Sequence, residues 1–349
     1  MKMRRLGHSD LYVNPVGLGC MGFSHAYGLA MEKTEAVKNI RSAYDMGYNF
    51  FDTAECYIGE NADGSTSYNE ELVGEALRDV RDKVVIWTMP SASCARMRDV
   101  RDKVVIATKF GVRHNVDRSL KLDSCPAIIR KSVEGSLKRL GLEYIDLYYQ
   151  HRIDPQTEPE AVAETMKDLI KEGKIRYWGI SEANEEYLRR AHKICPVTAV
   201  ENRYSMIARW HEALFPVLEE LSIAFVAFSP MANGLLTGAY HRATKFTEKG
   251  DYRSDMPQFT EKGMQQSEEL RAMLEKLAQE KHATPAQISL AWMINKKPYI
   301  VPIPGSRKVS RLKENLGAGH IRLDPLELER IDSLLDGMTF DVFGGHSNS

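Results

Sequence analysis

Long apolar runs are missing from this 349-residue chain. None approaches the roughly 20 residues that a bilayer-spanning helix needs. An excess of charge of either sign is missing as well: 47 Lys and Arg stand against 48 Asp and Glu. That balance argues against a nucleic-acid partner held by a strongly basic surface. Cysteine is sparse and without pattern. The five (Cys20, Cys56, Cys94, Cys125, Cys195) are odd in number, far apart and form no C-x-x-C. A disulfide scaffold and a zinc site are both disfavoured, no metal is expected, and a reducing, cytoplasmic setting is favoured. The opening segment MKMRRLGHSD has basic residues but no apolar core of a secretory signal. No linker rich in Pro, Gly or Ser divides the chain, so 1–349 reads as a single domain.

What is present is the mix of an ordinary globular protein, 43% hydrophobic and 27% charged. Short β-branched or aromatic runs fall at 16–19, 49–52, 104–109, 144–150, 176–181, 198–201, 224–229 and 299–304. Helical patterns lie between them, near 33–46, 68–80, 126–140, 159–172, 184–193, 208–220 and 265–295. The alternation predicts parallel strands with helical crossovers, and eight strands suit an α/β (β/α)8 TIM barrel. A doubly wound open sheet is the alternative. Residues 1–15 read as an N-terminal β-hairpin turning at HSD. The polar stretch 241–263, in which FTEKG occurs twice, reads as a substrate-face or mobile loop.

One repeat is unusual. RDVRDKVVI occurs at 78–86 and again at 98–106. The spacing is too short and too isolated for a solenoid. A local duplication fits better, with 78–97 as an insertion before the third strand. Only one copy can occupy that strand, and the second is expected there because it leads to Lys109. The corresponding residue after the first copy is Met89.

Four residues carry candidate chemistry. Asp52 closes an apolar strand, with Tyr57 five residues on. Lys109 closes the next strand and is costly to bury without a carboxylate. His151 sits at the mouth of the fourth. Each alone has a bland reading: a cap, a packed aromatic, a strand emerging into solvent, a structural histidine. Together they fall at or just past the C-terminal ends of three adjacent strands, the face where barrels of this type place their sites. A lysine cation lowers the pKa of a tyrosine, an aspartate holds the lysine, and a histidine can hydrogen-bond a substrate oxygen. The set suits protonation of a carbonyl oxygen while hydride arrives at carbon.

Two glycine-containing segments point to phosphate with different force. Residues 17–22 (GLGCMG) match G-x-G-x-x-G, but no helix opens at the third glycine, so a flexible first loop is preferred to a dinucleotide fingerprint. Residues 299–315 read as strand, turn and helix start. The turn at Gly305 and Ser306 leaves amides free at a helix N-terminus. Arg307, Lys308 and Arg311 oppose the helix dipole there, a conflict that an anion relieves.

Taken together, the motifs resemble the aldo-keto reductase family over nearly the whole chain, most closely the branch with perakine reductase and pyridoxal reductase. The resemblance rests on D-T-A-x-x-Y at 52–57, Lys109, YYQH at 148–151, WGISE at 178–182, FSPM at 228–231 with GLLTG at 234–238, and IPGSRKVSRLKEN at 303–315. It implies NADPH-dependent reduction of a small-molecule aldehyde or ketone on a barrel without metal. By that resemblance Tyr57 is the general acid, Lys109 lowers its pKa, Asp52 pairs with Lys109, and His151 orients the carbonyl. Ser181 and Glu201 would hold the nicotinamide carboxamide and Phe228 would stack on its ring. Ser229, Pro230, Met231 and Leu235 would line the pyrophosphate. Gly305, Ser306, Arg307 and Arg311 would hold the 2′-phosphate, with Glu314 and Asn315 near adenine. The family usually has Gln where this chain has Glu201. A carboxylate there favours the oxidised, cationic nicotinamide, so weaker NADPH preference is expected. Two other readings remain: an NADP-binding regulatory subunit of the kind seen in potassium-channel β-subunits, and a reductase impaired by the duplication. Neither the substrate nor an oligomeric partner is legible.

Overall fold

The computed structural model describes residues 1–81, 104–115 and 119–343. Eight strands form one sheet: β1 (Leu18–Gly19), β2 (Phe50–Asp52), β3 (Val105–Phe110), β4 (Ile145–Gln150), β5 (Ile175–Ser181), β6 (Ala199–Arg203), β7 (Ala224–Phe228) and β8 (Ile300–Pro302). They pair in chain order and all in parallel. The Gly17 N–H donates to the Pro302 carbonyl at 3.0 Å and joins the first strand to the last. The sheet therefore curls round on itself, and the fold is the (β/α)8 barrel.

The strands are apolar because each is covered on both sides. Phe50, Val105, Leu147, Tyr149, Val226 and Val301 point into the barrel and pack together. The alternate residues, among them Phe51, Ile106, Tyr148 and Ile180, meet the surrounding helices. Gly179 marks a tight place inside: a Cβ there would lie 2.4 Å from the Tyr149 ring and 2.5 Å from the Ala199 carbonyl. Glycine lets β5 pass that ring.

An antiparallel hairpin (Arg4–Arg5 with Tyr12–Val13) precedes the barrel, and its turn spans the HSD residues. Leu6, Leu11 and Val13 join the cluster of inward-facing residues. Arg4 donates to the carbonyls of Ile294, Lys297 and Ile300, at and just ahead of the start of β8. The Asn14 N–H donates to Asn49 Oδ1, just ahead of β2, and Arg176 at the start of β5 pairs with Asp10. The hairpin thus closes the N-terminal end of the strands.

The crossover helices begin and end where their local chemistry dictates. Helix α1 (Lys33–Asp45) is capped by the Glu32 side chain, α3 (Pro126–Leu140) opens on proline and stops at Gly141 (φ 65°), and α5 (Glu185–Ile194) is capped by Asn184. Between them, α2 is Asn69–Arg81 and α4 is Pro159–Lys171. Two sequence expectations need correction. The pattern at 208–220 is a 3-10 turn, Trp210–Leu214, followed by a short helix α6, Phe215–Glu220. Pro216 has no N–H to give, so it fits only in a first turn. The pattern at 265–295 is not one helix. It divides into a short helix at Glu261–Gln266, α7 (Glu268–Glu280) and α8 (Pro285–Lys296). Thr284 forms a capping box with Gln287, and Pro285 opens the last segment. Two further helices follow β8: α9 (Val309–Gly317) and α10 (Pro325–Asp336).

Three features cover the C-terminal end of the barrel. Two small hairpins, Ile58–Glu60 with Thr66–Tyr68 and Val112–His114 with Leu120–Leu122, follow β2 and β3. The polar stretch after β7 folds back on the first βα loop: the Tyr252 N–H donates to the Ala26 carbonyl at 3.0 Å, and Tyr27 forms a β-bridge with Asp251. The third strand of the sheet carries Lys109 and contains the end of the second nonapeptide copy. Most of the insertion expected at 78–97 lies outside the described residues.

Candidate active site

At the mouth of the barrel three ionisable side chains are fully buried together. Lys109, from β3, donates to Asp52 Oδ1 on β2 at 2.5 Å and to the Thr53 carbonyl at 2.9 Å. Its third contact is Glu201 Oε1 on β6, at 3.1 Å. The side chains of Lys109, Asp52 and Glu201 are 0%, 3% and 2% exposed. Inward-facing positions on different strands converge near the barrel axis, which is how β6 reaches the product of β2 and β3. Burial pulls the lysine pKa down, but Asp52, Glu201 and Tyr57 outweigh it, and Lys109 is held above the usual lysine range. Burial pushes Asp52 up against the lysine's pull. Glu201, buried and facing Asp52, is pushed up to about 8.

Tyr57 lies over this cluster, its ring centroid 5.2 Å from Lys109 Nζ. Its ring meets His151 edge-on at 5.7 Å and stacks with His25 at 6.2 Å. Burial raises the phenol pKa and Lys109 lowers it, with burial the stronger, so Tyr57 keeps its proton at neutral pH. His151 Nδ1 is 3.4 Å from the Cys56 thiol. Burial, then Arg152 and Lys109, hold this imidazole well below its usual range, so it is neutral. The four residues singled out in sequence therefore do meet in one place.

The structure adds groups that the sequence did not single out. Glu201, expected against a nicotinamide, also contacts Lys109. Arg152 donates to Ser181 Oγ at 3.0 Å and lies 5.6 Å over the Phe228 ring. Arg203 covers the same ring at 5.0 Å. Ser181 and Phe228 are thus already engaged. His25, His114 and Tyr252 gather beside Tyr57, with His25 and His114 centroids 4.9 Å apart. Between the first loop, the hairpin at 58–60 and residues 249–252 lies an open cavity of about 210 Å3, lined by Ser24, His25, Gly59, Glu60 and Tyr252. No spacing rule links these positions, because they come from separate loops.

Along the rim from β7 to α9 lie the other expected residues. Ser229, Ala232, Asn233 and Gly234 all have positive φ (50°, 49°, 58° and 104°), so the chain folds tightly after Phe228. Pro230 and Met231 lie in this bend, and Leu235 is buried beneath it. Gly305 abuts β1: a Cβ there would lie 2.6 Å from the Gly19 carbonyl. Ser306 Oγ accepts from the Lys308 N–H. Arg307 donates through Nε to the Gly22 carbonyl, yet its Nη2 is buried without a partner. Arg311 pairs with Glu314, which also accepts from Thr284. Asn315 is buried and its Nδ2 has no partner. Helix α9 starts without a side-chain cap. Orphan donors from Arg307 and Asn315 and an uncapped helix start all lie on one edge. Among the described residues no group of His, Cys, Asp or Glu is placed to hold a metal, and no helix is long and apolar enough to cross a membrane.

The profile of the aldo/keto reductase family matches residues 15–336. A probable aldo-keto reductase from Glycine max is 35% identical over 329 residues, 94% of this chain and 87% of that one. A glycerol dehydrogenase from Gluconobacter oxydans has a similar structure, with TM-score 0.78 and 27% identity over 95% of this chain and 94% of its own. An aldo-keto reductase from Klebsiella pneumoniae, solved in complex with NADPH, covers 98% of this chain and 99% of its own, with TM-score 0.69. At 23% identity it speaks for the fold alone. A family profile that spans the barrel, with a relative of this identity and coverage, is decisive: the chain belongs to the aldo/keto reductase family.

Proposed function

We propose that the protein reduces aldehydes or ketones to alcohols, with NADPH as cofactor and Tyr57 as general acid. The observation that carries this reading is the convergence of buried Asp52, Lys109 and His151 with half-buried Tyr57 at the barrel mouth. The rim fits the cofactor. Arg307 Nη2 and Asn315 Nδ2 are buried donors in need of acceptors. The uncapped start of α9, with Arg307 and Arg311 beside it, suits a phosphate. Gly305 and Ser306 give the turn that precedes it. Ser229, Pro230, Met231 and Leu235 would line the pyrophosphate, Glu314 and Asn315 the adenine. Ser181 and Phe228 would meet the nicotinamide once Arg152 and Arg203 shift from that ring.

The chemistry that NADPH supplies when bound is a hydride for the carbonyl carbon. The remaining work falls to this chain. Tyr57 gives its phenolic proton to the carbonyl oxygen. Lys109 stabilises the phenolate left behind, and Asp52 fixes the lysine. His151 is neutral and its Nδ1 faces Cys56, so Nε2 is the nitrogen that orients the carbonyl. Cytoplasm is the setting we infer, on the four described cysteines being free thiols. The test is NADPH oxidation with 4-nitrobenzaldehyde by wild type and Tyr57→Phe, beside NADPH fluorescence titration. Turnover should fall about 10²–10⁴-fold in the variant, with binding retained. Undiminished turnover would overturn the assignment of Tyr57.

A further inference from the structure

We propose that Glu201 carries a proton in the resting enzyme and is a positioning residue that acts on Tyr57 through Lys109, so that loss of this proton ends reductase activity on the alkaline side. The argument is one of charge and geometry. One ammonium stands between two carboxyl groups, and water reaches none of the three. Lys109 balances a single negative charge. The shorter contact, 2.5 Å, is to Asp52, and the longer, 3.1 Å, is to Glu201. Asp52 is therefore the carboxylate and Glu201 the acid. Asp52 Oδ2 and Glu201 Oε2 are both buried without a hydrogen-bond partner. A carboxylate only accepts, and a proton on Glu201 turns it into a donor; no neighbouring group removes the need for that proton.

The other groups around Glu201 leave it alone in this role. Its strand partners are Ser181 on β5 and Val226 on β7, neither of which titrates. Lys109 comes from β3 and Asp52 from β2. Tyr57 and Tyr149 face it as phenols that burial holds above their usual range. Burial and Asp52 push Glu201 up to about 8, and it is the carboxyl farther from the ammonium. Below that pH the cluster is one cation and one anion, and Tyr57 senses the ammonium. Above it, a second anion 3.1 Å from the ammonium cancels that field, and Tyr57 becomes a poorer acid at the carbonyl.

The kinetic consequence rests on the reductase reading; the proton does not. Infrared spectra of the wild-type protein in H2O and D2O should show the C=O stretch of a protonated, buried carboxyl at pH 7. Raising the pH past 8 should abolish it. Labelling with 13C-glutamate should move the band, and Glu201→Gln should remove it. Glu55, also raised by burial, is separated by Glu55→Gln, which should leave the band in place. In kinetics, normalised to each protein's own maximum, wild-type kcat should fall about tenfold per pH unit above the break, as for one titrating group. The Glu201→Gln profile should stay flat there, since an amide beside Lys109 stays uncharged at every pH. Absence of the band at pH 7, a band that 13C-glutamate does not move, or an alkaline limb that persists in Glu201→Gln would each overturn the proposal. If wild type turns over no carbonyl, the reductase reading fails, and the infrared arm still decides where the proton is.

Discussion

Replacing Lys109 by Met installs at the barrel mouth the residue that follows the first copy of the repeated nonapeptide, Met89. The volume is nearly kept, but Asp52 and Glu201 lose the cation between them. A bare buried carboxylate is not tolerated, so the variant has to bind a second proton. Neutralising an ordinary carboxyl of pKa 3.8 at pH 7 costs about 4 kcal/mol. Loss of the bond to the Thr53 carbonyl adds about 1 kcal/mol. Lys109→Met should therefore be destabilised by about 5 kcal/mol at pH 7. The sign with pH follows from proton counting. Between about pH 4 and 8 the unfolded carboxyls are ionised, wild type holds one extra proton when folded, and the variant holds two. Both proteins lose stability as pH rises, and the variant loses about 1.4 kcal/mol more per unit. Urea unfolding of the pair at pH 5, 6, 7 and 8 measures this directly. A stability gap that stays constant across that range would refute the reasoning, because it would mean that no proton replaces the lysine.

Three further outcomes are expected. His151 is held neutral by burial and by Arg152 and Lys109, so its ring signals in NMR should stay at the neutral position at pH 6.5, where an ordinary histidine is half charged; a normal titration would sink that claim. Arg311→Ala should weaken NADPH binding about tenfold or more and leave NADH binding nearly unchanged, read by fluorescence titration; equal losses for both would remove Arg311 from the 2′-phosphate. Gly179→Ala should destabilise the barrel by about 3 kcal/mol or more in urea unfolding, because its methyl group would overlap Tyr149 and the Ala199 carbonyl; a neutral change would show that the strand can shift.

The parts legible in sequence were those governed by local rules. All eight barrel strands fall within a residue or two of the apolar runs, because burial on both faces makes them continuous. Asp52, Lys109 and His151 stand out because each polar residue ends such a run. Glu201 also ends one, but its partner Lys109 is on the far side of the barrel, and no spacing within β6 announces that contact. The break at Thr284-Pro285 shows the reverse case: the helical period runs through it, while the capping box and proline end it locally. The hairpins over the mouth have short, mixed strands whose pairing depends on the loops they cover. The contacts of Arg152 and Arg203 with Phe228 depend on three strands at once.

The N-terminal hairpin has a practical consequence. Leu6, Leu11 and Val13 stop the barrel at the end opposite Tyr57. Each such side chain contributes about 1.5–3 kcal/mol by leaving water, so trimming the first 15 residues would uncork the barrel rather than tidy it. The same placement makes residue 1 the natural tether. A linker or fusion partner joined there hangs about 20 Å, one strand length, from the reacting groups. A surface-immobilised enzyme attached by that end would stand with its open mouth toward the solution.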